Sequence, residues 1–224
     1  MSENSLDLSI LLTGASQDSL INIESFFKKM PIRYEIILIG PTPSEVEFPY
    51  LRLASFKEAA AKLNGNLIFF MDAKLRIPLA EIIAFMMHFQ SNPELQFLNG
   101  DRFLPNKNRK RIDQTQDIKT GFYFEIFIQK YFGLSRYDYF CPMKAFRKEI
   151  GTRLLSQLKF RNLNEIELFI LAHRFEIQIE SLSVIWNERR SLTSGPSRHW
   201  SQFIKLIFAL LYFRLSHWRR GPID

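Results

Sequence analysis

Short apolar runs broken by polar turns dominate the first hundred positions. Leu8–Leu12 (LSILL), Glu35–Ile39 (EIILI), Leu51–Leu53, Leu67–Met71 (LIFFM) and Leu95–Leu98 have the length and composition of buried strands. Between them the apolar spacing lengthens. From Ser16 to Met30, Leu20, Ile21, Ile23, Phe26 and Phe27 recur at helical intervals before Pro31 ends the run. Ser55 is placed to cap a helix over Phe56–Leu63, which Asn64-Gly65-Asn66 terminates, and a further helix is predicted from Pro78 to Gln90. This alternation of strand and helix with short connections predicts an α/β fold, a largely parallel central sheet with helices on both faces. Asp72, directly after LIFFM, is then expected at the carboxyl end of a central strand, the edge at which such sheets hold ligands.

The second half reads differently. Residues 101–120 are rich in Lys and Arg, poor in apolar residues, and predict a loop. Helices are predicted over 121–133 and 144–157, on either side of the segment Gly133 to Pro142. A helix over Asn164–Arg174 and a strand over Ile177–Val184 follow. No internal repeat or low-complexity tract interrupts residues 1–190, which predict one domain, with 191–224 as a C-terminal amphipathic segment. There Trp200, Phe203, Ile204, Ile207, Leu211, Leu215 and Trp218 share one helical face, and Arg219-Arg220 lie just beyond. Trp at both ends with flanking Arg suits a helix in the headgroup layer of an anionic membrane, and equally a helix packed on the protein's own core.

Composition narrows the class. The chain has 224 residues, 46% hydrophobic and 24% charged, which is ordinary for a globular protein. A net charge of +7 favours anionic partners: nucleotide phosphates, lipid headgroups or nucleic acid. Nucleic acid is set aside, because no recognition fold or base-reading basic helix is visible. The single Cys141 excludes an internal disulfide and points to a cytoplasmic address; no signal peptide or apolar run of spanning length is seen. The four His show no zinc-ligand spacing with Cys141.

A carboxylate just past a buried strand is a way to hold a divalent cation against a diphosphate, since hard cations take oxygen ligands. Asp72 is such a residue, but the positions that follow are Ala73-Lys74-Leu75-Arg76. Lys74 repels a divalent ion, so Mg or Mn binding is expected to be weakened. Lys74 and Arg76 stand where they either place positive charge on a diphosphate themselves or pair with Asp72 in an inert turn.

Several segments in the same order give the chain a family resemblance. Asp138-Tyr-Phe-Cys141-Pro-Met-Lys-Ala-Phe146-Arg147-Lys-Glu149 is similar to "D-x-x-C-G-x-K-A-F-R-R-E", with Pro142 in place of Gly. Asn164-Glu-Ile-Glu167-Leu-Phe-Ile-Leu-Ala172, followed by Glu180-Ser-Leu-Ser-Val184-Ile-Trp186, is similar to "D-x-E-L-L-x-x-A…E-x-P-V-x-W", and Gly100-Asp101-Arg102-Phe103 to "G-S-R-F". Over about residues 6–190 the chain resembles the family 2 glycosyltransferases, in particular the polyprenyl- and dolichyl-phosphate sugar synthases. The resemblance implies a GT-A-like fold and transfer of a hexose from a nucleotide sugar to a lipid phosphate at the inner face of a membrane. It implies nucleotide contacts from Thr13, Gly14, Gly40, Thr42 and Asp72, and chemistry at Asp72, Lys74, Arg76 and Arg102. Acceptor contacts are implied from Arg109 and Arg111 in the basic loop and from Asp138, Arg147 and Glu167.

The departures are concentrated on the nucleotide side. The family's "P-x-Y-N-E", "D-D-G-S" and "D-A-D-x-Q" segments are here Thr13-Gly14-Ala15-Ser16, Gly40-Pro41-Thr42-Pro43-Ser44 and Asp72-Ala73-Lys74-Leu75-Arg76. Two functions therefore stand side by side: a hexosyltransferase with altered donor chemistry, and a catalytically inactive glycosyltransferase-like binding or scaffold protein.

Overall fold

The computed structural model describes residues 6–40, 50–74, 76–104, 126, 128–159 and 164–185. The predicted C-terminal segment, 191–224, lies outside the described residues, as does most of the basic loop. Seven strands form one sheet: β1 (Leu6–Thr13), β2 (Tyr34–Ile39), β3 (Leu51–Leu53), β4 (Gly65–Asp72), β5 (Phe97–Asp101), β6 (Met143–Arg147) and β7 (Ile179–Ser183), in the order β3-β2-β1-β4-β6-β5-β7. β6 alone runs antiparallel, between β4 and β5; every other pairing is parallel.

The helices divide between the two faces. α1 (Gln17–Phe27) and α3 (Glu81–Ser91) cover one side, where Leu20, Ile23, Phe27, Ile82, Phe85 and Phe89 join one core with Ile10, Leu12, Phe69 and Met71 of the sheet. α2 (Phe56–Ala60), α4 (Lys148–Gln157) and α5 (Asn164–Arg174) cover the other. There Phe56 meets Phe70 edge-on at 5.1 Å, and Phe97 packs against Phe146 and Phe169 at 4.4 and 5.4 Å between ring centroids. Strands covered on both sides carry apolar residues at consecutive positions, which is why the LSILL and LIFFM runs do not alternate.

The helix caps follow local chemistry. Ser16 and Ser19 form a reciprocal capping box at α1. The Glu58 amide donates to Ser55 Oγ at the start of α2, the cap that the sequence predicts. The predicted helix over 144–157 is corrected: it begins at Lys148, because Met143–Arg147 is β6. That segment, MKAFR, has no β-branched residue and favours helix locally. Its strand conformation is imposed by pairing on both sides, with Phe146 opposite Ile68 and Phe97. Among the described residues no helix is long and apolar enough to cross a membrane.

Candidate functional site

Parallel strands deliver their carboxyl ends to one edge, and the chain leaves them there in tight turns. Thr13 ends β1 and pairs in register with Ile39 of β2 and with Asp72 of β4. Gly14 and Gly40, the next residues on β1 and β2, have φ of +66° and +88°, the left-handed region that glycine enters without a Cβ penalty. Thr13, Gly14, Gly40 and Asp72 are thereby brought together; Thr42 lies outside the described residues. A cavity of about 320 Å³ opens beside them, lined by the ends of β1 and β2, by Ala54, Ser55, Phe56 and Lys57 after β3, and by Leu158 and Lys159 after α4.

Asp72 is fixed by its backbone and one side-chain contact. Its amide donates to the Pro142 carbonyl at 3.2 Å, and the Ala73 amide donates to the Thr13 carbonyl at 2.9 Å, tying β4's end to its neighbours. Asp72 Oδ1 accepts the Lys74 amide at 3.0 Å, closing a local turn. The Lys74 side chain is exposed and Arg76 is half-buried. Among the described residues no three His, Cys, Asp or Glu side chains gather into a metal-binding group. The Lys74 cation, in the same turn as Asp72, works against a divalent ion there, so these residues do not fit one.

Arg102 and Asp138, assigned separately by the sequence, form a single unit. The Asp138 side chain is completely enclosed, and it accepts Arg102 Nε at 2.7 Å, Nη2 at 2.7 Å and the Arg102 amide at 3.0 Å. A two-pronged guanidinium–carboxylate pair of this kind is strong and directional. Next to it, Asp101 Oδ1 accepts the Phe103 and Leu104 amides, which shapes the first turn of the basic loop. Burial pushes the Asp101 carboxyl above its ordinary range, against the pull of those amides. Arg109 and Arg111 lie outside the described residues.

Arg147 and Glu167, expected at the acceptor, both make contacts within the fold. Arg147 sits opposite Leu67, towards the amino end of β4 and away from Asp72. Its guanidinium donates to the carbonyls of Leu95, Phe89 and Asn92, closing the C-terminal end of α3. Glu167 is buried, and both its carboxylate oxygens accept the Lys159 amide, at 3.1 and 3.0 Å.

Two further residues with chemistry stand inside the motif segments quoted above but were given no role from the sequence. Lys144 is completely buried on β6, donates to the Cys141 carbonyl at 2.5 Å, and lies over the Phe70 and Phe169 rings at 5.8 and 5.7 Å. Glu165, in the first turn of α5, comes within the electrostatic reach of Lys144, Arg102, Asp138 and Asp72. Its only sequence signal is its place in the Asn164–Glu167 motif. Burial pushes its carboxyl above the usual range; Lys144 and Arg102 pull it back, while Asp138 and Asp72 push it further up. In the window between the ordinary and the raised value the folded state keeps a proton that the unfolded state has lost. Stability is therefore highest below that window and falls as pH rises through it. Glu165→Gln should flatten this decline, read as urea midpoints across a pH series. A wild-type profile that matches the variant's would contradict the assignment.

No known protein family matches the sequence, and no curated protein sequence matches it. Solved structures do. One is the mannosyltransferase PcManGT from Pyrobaculum calidifontis, in complex with GDP-Man and Mn2+: TM-score 0.58 and 8% identity, over 99% of this chain and 67% of that one. The fold is GT-A-like. The bifunctional IspDF from Campylobacter jejuni gives TM-score 0.46 and 8% identity over 79% of this chain and 49% of that one. The 4-diphosphocytidyl-2C-methyl-D-erythritolsynthase from Anaerococcus prevotii gives 0.44 and 12% over 94% and 100%. The last two likenesses are too distant to add to the first.

Proposed function

We propose that the protein is a hexosyltransferase of GT-A-like fold that takes its sugar from a nucleotide sugar and delivers it to a lipid (polyprenyl) phosphate. The observation that carries this reading is the cavity at the carboxyl edge, where Thr13, Gly14 and Gly40 meet the end of the strand that carries Asp72. In open α/β sheets this edge is where ligands bind, and a concave site with an apolar floor and a few polar groups suits a small molecule. Ile39, Phe56 and Leu158 supply the apolar surface for a base, and the glycine turns allow close approach of the backbone. A phosphate acceptor is already anionic near neutral pH, so the reaction asks mainly for alignment and for positive charge around the departing diphosphate. The net charge of +7 and the tryptophan-bounded helix expected at 200–218 support an anionic membrane as the place where the acceptor is met.

One observation favours a second reading, a silent binding protein. Arg102 is committed to Asp138, and Asp72 Oδ1 to the Lys74 amide, so two candidate catalytic groups are engaged in holding the fold. Product formation separates the readings. The protein, with GDP- or UDP-hexoses and polyprenyl phosphate in anionic vesicles, should release nucleoside diphosphate and form a lipid-linked sugar. Adding a chelator should weaken nucleotide-sugar affinity by less than about tenfold, or about 1.4 kcal/mol, because the Lys74 cation follows Asp72 in the same turn. Saturable nucleotide-sugar binding without product would leave the silent reading standing. A strict Mn2+ requirement would contradict the effect assigned to Lys74.

A further inference from the structure

The cavity's charged residues are all of one sign. Among the described residues lining it there is no carboxylate, and there are two lysines, Lys57 at the start of α2 and Lys159 after α4. Both are exposed, and among the described residues neither side chain enters an ion pair or a hydrogen bond. Lys159 is not on a loose stretch of chain. Its amide donates to both oxygens of Glu167, a buried side chain on the neighbouring helix, so a buried group restrains the backbone that carries this lysine. A buried side-chain carboxyl needs hydrogen-bond partners, and the Lys159 amide, shared between its two oxygens, is one of them. The two helices that bracket the lysines, α2 and α4, pack directly on each other, so the distance between Lys57 and Lys159 is set by packed elements.

We propose that Lys57 and Lys159 form a phosphate-binding pair, gripping the phosphates of the bound nucleotide in place of the divalent cation that the residues around Asp72 do not fit. This rests on the reading of the cavity as the nucleotide site, and it assigns the charge neutralisation there to two side chains outside the Asp72 turn. Lysine suits the task as a compact point charge with three donors, and two of them facing one cavity meet a diphosphate from two sides of its charge. The consequence is a recognition step that depends on ionic strength but not on metal.

Inorganic pyrophosphate is the direct probe, because it needs no base pocket. Full-length protein, titrated with pyrophosphate and with GDP and UDP in the presence of a chelator, should bind pyrophosphate and at least one of the two nucleotides. The double variant Lys57→Ala/Lys159→Ala should lose at least about tenfold in pyrophosphate affinity, as expected for removing charge-assisted hydrogen bonds. Lys57→Arg/Lys159→Arg should recover most of it. Circular dichroism of both variants should match the wild type, since both side chains are exposed. Equal pyrophosphate affinity in wild type and the Ala variant, or no pyrophosphate binding by the wild type, would overturn the proposal. Lysine-dependent pyrophosphate binding with no GDP or UDP binding would keep the pair and remove the nucleotide reading instead.

Discussion

Arg102→Ala should destabilise the fold by about 3–5 kcal/mol, the range for breaking a buried ion pair by removing one partner. The Asp138 carboxylate is fully enclosed and receives three hydrogen bonds from Arg102, two from the guanidinium at 2.7 Å and one from the amide at 3.0 Å. Truncation leaves only the amide of those three to satisfy a carboxylate that water does not reach. Asp101 lies beside it, and its own burial already disfavours a second negative charge there. Arg102→Lys should recover only part of the loss, since one ammonium cannot reproduce the two parallel bonds of the fork. Replacing both partners, as in Arg102→Met/Asp138→Leu, should cost less than Arg102→Ala alone, because no uncompensated charge remains. Urea unfolding of the three variants tests this ordering. Arg102→Ala within about 1 kcal/mol of wild type would mean that the pair is not holding the β5 turn.

Gly65→Ala should prevent folding, with a loss beyond about 4 kcal/mol, in the exceptional class for single substitutions. An added Cβ at Gly65 would lie 2.3 Å from the Leu8 carbonyl carbon and 2.3 Å from the Ser9 nitrogen. Those are backbone atoms of β1, a central strand paired on both sides, so no side-chain rotation relieves the contact. The Gly65 amide also donates to Ser9 Oγ at 2.8 Å, and Ser9 in turn donates to Glu35, so moving β4 away from β1 breaks a buried network as well. Gly133 is the contrasting case. It has φ +67° with nothing within 4 Å of an added Cβ, so Gly133→Ala should cost only the left-handed strain of about 1–2 kcal/mol. Comparable losses at the two positions would contradict the steric account of Gly65.

The sheet was legible where burial on both faces writes itself into consecutive residues. LSILL, EIILI and LIFFM can be read as strands with no knowledge of their partners, and their ends placed Thr13, Gly14, Gly40 and Asp72 at one edge. β6 was not legible, because MKAFR becomes a strand only through β4 and β5, which lie about 75 and 45 positions away. Lys144 was hidden with it, since its burial depends on the strand. The Arg102–Asp138 pair was out of reach for a related reason: each residue carried its own functional expectation, and only the fold, across 36 positions, joins them. Arg147 shows the same limit in reverse, since the motif around it suggested an acceptor role, while the reversed direction of β6 carries it towards the other edge. Local pattern tells what a segment is; long-range pairing decides what its side chains meet.

Calorimetric titration, with a variant that fills the cavity at the carboxyl edge, decides whether a nucleotide sugar binds there. Ala54 lines this cavity and is exposed, so Ala54→Trp should occupy the space without disturbing the core. The expected result is saturable binding of a GDP- or UDP-sugar to the wild type, retained in chelator and lost in Ala54→Trp, whose unfolding midpoint stays that of the wild type. Absence of binding by the wild type to either sugar nucleotide, or equal binding by the folded Ala54→Trp variant, would contradict it.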